Sequence, residues 1–158
     1  MGYIEEIRKK IGHDCLLLPG SAVVIADREG KILLQHRVYP EGKWSLPGGL
    51  MELGESPEET AVREVYEETN LRVSKLELLN VYSGKNYLCI AANGDNYYVV
   101  TIVYMTETYE GDLKVNDNES KEFRWFSLEE LPEKLVATHQ TILSDYKIRK
   151  DSLNSNKN

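Results

Sequence analysis

Seven glutamates and a single basic residue, Arg63, lie within residues 48–70, GGLMELGESPEETAVREVYEETN. Three of the acids, Glu64, Glu67 and Glu68, stand at i, i+3 and i+4, so on a helix they gather on one face. Like charges at that spacing repel by roughly a few tenths of a kcal/mol per pair, and no lysine interleaves them. A face that serves solubility alone mixes its signs, so the cluster calls for something that removes the repulsion. A divalent cation does this. Oxygen-only donors suit Mg²⁺ or Mn²⁺, ions that keep water and phosphate oxygens among their ligands, and the acids therefore point to chemistry on phosphate. Gly48 and Gly49, just ahead, let main chain come close to such a ligand without a Cβ in the way.

Charge and composition narrow the partners. A net charge of −7 leaves no general basic surface for a polynucleotide or an anionic membrane, while a small phosphorylated substrate can still bind through metal ions and a few local cations. Only Cys15 and Cys89 are present, in no CxxC or Cys/His pattern, which indicates neither a disulfide framework nor a zinc site. The start, MGYIEEIRKKIG, has no signal-peptide core, and no apolar stretch approaches membrane-spanning length. A cytoplasmic location is the expectation.

The elements that must hold the acids follow from pattern. At 158 residues the chain is expected to form one domain over 1–150, with a frayed tail at 151–158. Tyr3, Ile4, Ile7 and Ile11 predict an amphipathic helix at about 3–11, with Arg8, Lys9 and Lys10 on its solvated side. "CLLLPGSAVVIAD" and "KILLQHR" read as a strand pair joined by a turn, and "YPEGKWSLPGG" as irregular. Ser56, Pro57 and Glu59 form a capping box that opens a helix over about 57–69, with Ala61, Val62, Val65, Tyr66 and Thr69 on its core side. "LRVSKLELLNVYS", "YYVVTIVYMTETY" and "EFRWFS" read as strands, and "SLEELPEKL" and "THQTILSDYKI" as short helices. The result is a mixed sheet with helices packed on it.

The acidic stretch closely resembles the Nudix box, a glycine, five residues, a glutamate, seven residues, then Arg-Glu-apolar-x-Glu-Glu-x-Gly-apolar. Gly49, Glu55, Arg63, Glu64, Val65, Glu67, Glu68 and Leu71 all fall on it. The one departure is Asn70 in the place of glycine, and Asn is the next best residue for a left-handed helix end. The flanks "GKWSLPGGLMELGES" and "FRWFSLEELP" are also similar to members of the family, and the likeness spans most of residues 15–135.

The resemblance implies a Nudix fold, an α/β/α sandwich around a mixed β-sheet, and metal-dependent hydrolysis of a nucleoside diphosphate linked to another group. It implies Glu64, Glu67 and Glu68 as metal ligands with the Gly48 carbonyl, and Arg63 as the cation that orders them, pairing with Glu55 or Glu67. It implies a general base at Glu68 or at an acid of "NDNESKEF", with Glu119 ahead of Glu122. Gly49, Arg37 and Tyr87 are the candidates for contacting substrate, and a homodimer is a further expectation. The proline that ADP-ribose hydrolases carry roughly fifteen residues after the box is absent, which counts against that substrate. A nucleotide-binding sensor without hydrolysis is the alternative, and the intact carboxylates favour the enzyme.

Overall fold

The structure, a computed structural model, describes residues 2–115 and 118–157. In chain order the elements are α1 (Tyr3–Ile11), β1 (Leu16–Ile25), β2 (Ile32–Arg37), β3 (Trp44–Ser45), β4 (Gly48–Leu50), α2 (Pro57–Thr69), β5 (Arg72–Ser74), β6 (Glu77–Tyr82), β7 (Leu88–Ile90), β8 (Asn96–Thr106), β9 (Thr108–Glu110), β10 (Ser120–Phe126) and α3 (Ala137–Ser155). β1 runs parallel to β8 and antiparallel to β4, while β6 and β7 pair antiparallel with β8. A second, antiparallel sheet has the order β10-β2-β3, and β5 pairs with β9.

Alternation along β1 builds the layers, because successive side chains of a strand point to opposite faces. Val23 and Ile25 meet Ala61 and Val65 of α2, whereas Ala22 and Val24 belong to the cluster that Ile142, Leu143 and Tyr146 of α3 close. A strand covered on both faces reads as a nearly continuous apolar run, as β1 does. This is the sandwich and mixed sheet that the resemblance implied.

α2 starts and ends as its sequence predicts. Ser56 Oγ accepts the Glu59 N–H at 3.1 Å and the Glu59 carboxylate accepts the Ser56 N–H at 2.8 Å, closing the capping box. Asn70 ends the helix in the left-handed region at φ 65°.

Several expectations are corrected. β1 and β2 lie in different sheets, and the Ala26–Ile32 bridge joins their ends, since β4 and β8 already occupy both edges of β1. The segment read as irregular contains β3 and β4. "SLEELPEKL" forms turns: the Ser127 hydroxyl accepts the Glu129 N–H at 3.2 Å and bonds the Glu129 carboxylate, a local alternative to helix, and Pro132 follows. α3 is longer than expected, so residues 151–155, read as frayed, are helical. α2 is rolled relative to its predicted face: Val62 and Tyr66 are exposed, and Thr60 and Glu68 are buried. Arg8 of α1 is not a solvated charge, since its side chain is 12% exposed and lies 3.3 Å from Asp95. Among the described residues no helix is long and apolar enough to cross a membrane.

Candidate active site

Residues from four places converge on one cleft of about 390 Å³. Gln35, Arg37, Val38 and Tyr39 come from β2 and the loop after it, Gly48 to Leu50 from β4, Glu64 and Glu68 from α2, and Asn118 and Glu119 from the turn before β10. The roll of α2 brings its acids here, and Glu68, 4% exposed, forms part of the cleft floor. Its Oε2 accepts the Gly48 N–H at 3.0 Å, and its Oε1 receives a longer contact of 3.4 Å from the Gln35 amide. Burial pushes the Glu68 carboxyl up to about 8, with Glu64 and Glu119 adding to the shift and the Gly48 amide opposing it. Burial likewise raises Glu64, against the pull of Arg63.

The two glycines admit this arrangement for different reasons. A Cβ on Gly48 would lie 2.2 Å from the Ser21 carbonyl oxygen and 2.7 Å from Ala22 Cα, so glycine is what lets β4 close on β1. A Cβ on Gly49 would meet the Glu64 carboxyl atoms at 2.4–2.6 Å. That carboxylate rests in the space a side chain would take.

Arg63 orders the remaining acids. It grips Glu55 through Nε and Nη2, reaches Glu64 Oε1 at 2.8 Å and Glu67 Oε2 at 3.2 Å through Nη1, and donates to the Leu50 carbonyl at 3.1 Å. Both partners anticipated for it, Glu55 and Glu67, are thus engaged at once. Glu67 is turned to this cation with its side chain half exposed, apart from Glu68 on the cleft floor. Among the described residues no three acidic, histidine or cysteine side chains stand close enough to hold an ion as they lie. The donor chemistry nevertheless suits a hard cation. Glu64, Glu68 and Glu119 share one cleft and offer oxygen atoms only, and, beside burial, the charge of Glu119 adds to the upward shift of both box acids. Positive charge placed there relieves that repulsion.

Glu119 lies where the base candidate was expected, and its carbonyl is held by the Val38 N–H at 3.0 Å. Glu122 is set apart: it pairs with Arg124 at 3.0 Å and faces His36. Arg37 is no free surface cation. It donates to the Tyr39 carbonyl at 2.8 Å, and with Tyr39 it forms the border between the acidic cleft and a second pocket of about 540 Å³. Tyr87 lines that second pocket with Tyr97, Leu88 and Ile142, and among the described residues of its lining Arg37 is the only charged side chain. Sequence reasoning missed Gln35, although it stands two residues from Leu33 on the same inward face of β2 and is 2% exposed. A polar residue at an inward position of an apolar strand was the available signal.

Residues 16–146 match the NUDIX domain family. Over 124 residues, covering 77% of this chain and 69% of the relative, the chain is 38% identical to the ADP-ribose pyrophosphatase of Methanocaldococcus jannaschii. It is 33% identical to a MutT-like protein of Streptomyces ambofaciens over 124 residues, 78% of this chain and 73% of that one. The crystal structure of the MutT NUDIX hydrolase from Burkholderia pseudomallei superposes with a TM-score of 0.71 at 30% identity, covering 82% of this chain and 97% of that chain.

Proposed function

Given that the chain belongs to the NUDIX family and is a Nudix pyrophosphohydrolase, we propose that it cleaves the phosphoanhydride of a nucleoside diphosphate joined to a second, uncharged group. The observation that carries this reading is the junction at Arg37 and Tyr39. On one side lies a cleft floored by carboxylates, and on the other a mostly apolar pocket walled by Tyr87 and Tyr97, with no acid or lysine among the described residues of its lining. A diphosphate suits the first and a base or sugar the second, with the Arg37 guanidinium between them to pair with phosphate oxygens. A group bearing several further phosphates finds one cation in the second pocket, too few to replace its water.

Mg²⁺ or Mn²⁺ is the proposed cofactor, held by Glu64 and Glu68, by Glu67 once its carboxylate leaves Arg63, and by the Gly48 carbonyl. When bound, such an ion offsets phosphate charge and makes a coordinated water more acidic. The chain's own residues supply the rest. Water oxygen forms a bond to phosphorus as the anhydride P–O bond breaks, and its proton passes to a carboxylate. Glu119 is the better acceptor, because both Glu68 oxygens already receive donors from Gly48 and Gln35. Gly49 keeps the Glu64 carboxylate against the main chain, and Tyr87 offers an aromatic face to the second group.

The test is product release from ADP-ribose, dNTPs, dinucleoside polyphosphates, nucleotide sugars, NADH and an inositol polyphosphate, with Mg²⁺ or Mn²⁺, beside Glu68→Gln. ADP-ribose heads the series because a relative of that name is 38% identical, although the missing proline counts against it. Metal-dependent cleavage of one compound with an uncharged second group, lost in the variant, is the expected result. Binding without cleavage of any compound would make the protein a sensor, and preference for the inositol polyphosphate would overturn the pocket assignment.

A further inference from the structure

We infer that Gln35 is a positioning residue of the hydrolytic site, setting the spacing between the box acid Glu68 and the loop acid Glu119. The inference rests on the hydrolase reading above and assigns a role to a side chain that lies outside the box. Gln35 stands on β2 and makes three polar contacts through its amide. Its Nε2 lies 2.6 Å from Ser120 Oγ and 3.4 Å from Glu68 Oε1, and its Oε1 receives the Ser45 hydroxyl at 3.4 Å. Ser45 in turn faces Arg37 Nη1 at 3.4 Å. Gln35, Ser45, Ser120 and Glu68 are between 0% and 4% exposed, so this is a polar chain sealed from solvent.

Burying an amide is unfavourable unless its hydrogen bonds are replaced, and an apolar residue would suit the inward face of β2 better. Leu33, two residues earlier on that face, shows what the fold alone selects. The amide is explained by what it holds. One partner, Glu68, belongs to α2, and the other, Ser120, directly follows Glu119, whose own carbonyl is tied by the Val38 N–H to the residue just after β2. The two acids therefore reach one cleft from separate elements, and Gln35 bonds to both elements. Through Ser45 the same chain extends to Arg37, at the border with the second pocket. Among the described residues every fully buried polar side-chain atom has a partner, so removing this amide leaves three neighbours to find new ones.

Gln35→Met keeps the length of the side chain and removes the amide. In the full-length protein it is expected to weaken Mn²⁺ binding, followed by calorimetry, by roughly ten- to a hundredfold, the usual effect of deleting a group that orients a metal ligand. For the best substrate, kcat should fall about tenfold or more while KM stays within about threefold, because the second pocket is untouched. Ser120→Ala loosens only the Glu119 side, so kcat should fall with Mn²⁺ affinity retained, and it also serves if Gln35→Met does not fold. Leu33→Val, a core change on the same strand face, controls for lost stability. Gln35→Met with kcat and Mn²⁺ affinity near the wild-type values, or Leu33→Val with equal losses, would overturn the inference. Wild-type protein that binds Mn²⁺ yet cleaves nothing would sink the hydrolase reading instead, and the Mn²⁺ comparison would still decide whether Gln35 holds Glu68.

Discussion

Arg63 and Glu55 are joined by two hydrogen bonds, Nε to Oε1 and Nη2 to Oε2, across the bend that leads from the glycine pair into α2. The guanidinium holds the Glu55 carboxyl down to about 2. Lysine carries the same charge without the fork and cannot reach Glu55, Glu64 and Glu67 together. Arg63→Lys is therefore expected to lower stability by on the order of 1–2 kcal/mol, seen as a Tm drop of roughly 3–6 °C. Glu55→Gln should produce much of the same loss, and the double variant little more. Additive losses would show that the pair is not a unit.

The two glycines should fail differently when each gains one methyl group. At Gly48 the added Cβ meets backbone, 2.2 Å from the Ser21 carbonyl oxygen, and main chain must move. Gly48→Ala is expected to destabilise by about 3 kcal/mol or more, measured by urea unfolding. At Gly49 the obstacle is the far end of Glu64, which can swing aside at little expense to the fold. Gly49→Ala should keep its Tm within about 3 °C and lose roughly a hundredfold in kcat, since a displaced ligand acts through geometry. Equal Tm losses in both variants would refute the distinction.

What could be read from the sequence divides along physical lines. The box helix was predicted to its ends because capping is local chemistry: Ser56, Pro57, Glu59 and Asn70 act within a turn of themselves. The sandwich followed from a motif whose spacing is long enough to be specific. Sheet membership was not readable, because the choice of β8 over β2 as the neighbour of β1 depends on residues about eighty positions away. The rotation of α2 was misread for a related reason. Val62 and Tyr66 are more apolar than Glu68, but the Gly48 amide and Gln35 make burial of the carboxylate tolerable, and neither partner is visible from the helix itself.

Histidine 139 supplies a pH test of the fold. Its Nδ1 accepts the Leu46 N–H at 2.9 Å, and burial pushes its pKa from the ordinary 6.5 down to about 4. A histidine depressed in the folded state contributes stability that is complete above 6.5 and is lost as the pH falls from there toward 4. The His139 contribution to wild-type stability should fall by on the order of 2–3 kcal/mol across that window, read as the difference between wild type and a variant without the imidazole, because Glu68 acts with the opposite sign over part of it. His139→Gln keeps an acceptor, does not titrate and should remove this loss, leaving the opposite trend that Glu68 gives. Glu55, held near 2, acts only below about 4.5, so the two effects separate. An unchanged slope in His139→Gln would remove His139 as its source.

Glu68 carries the opposite sign, and this separates binding from folding. Its carboxyl is raised to about 8, so between about 4.5 and 8 the folded state holds a proton that the unfolded chain has released. Stability from that source is full at low pH and declines as the pH rises through 8, by up to a few kcal/mol, in protein stripped of divalent ions. Glu68→Gln cannot ionise and presents an uncharged amide to Gly48 and Gln35. At pH 8.5 in EDTA the variant should therefore melt higher than wild type. Adding Mg²⁺ should reverse the order, because the ion stabilises wild type by binding the native state and finds one carboxylate fewer in the variant. A wild-type Tm at pH 8.5 that is indifferent to Mg²⁺ would argue that the cleft does not hold the ion. A variant that melts lower than wild type in EDTA would show that the Glu68 charge is accommodated without it.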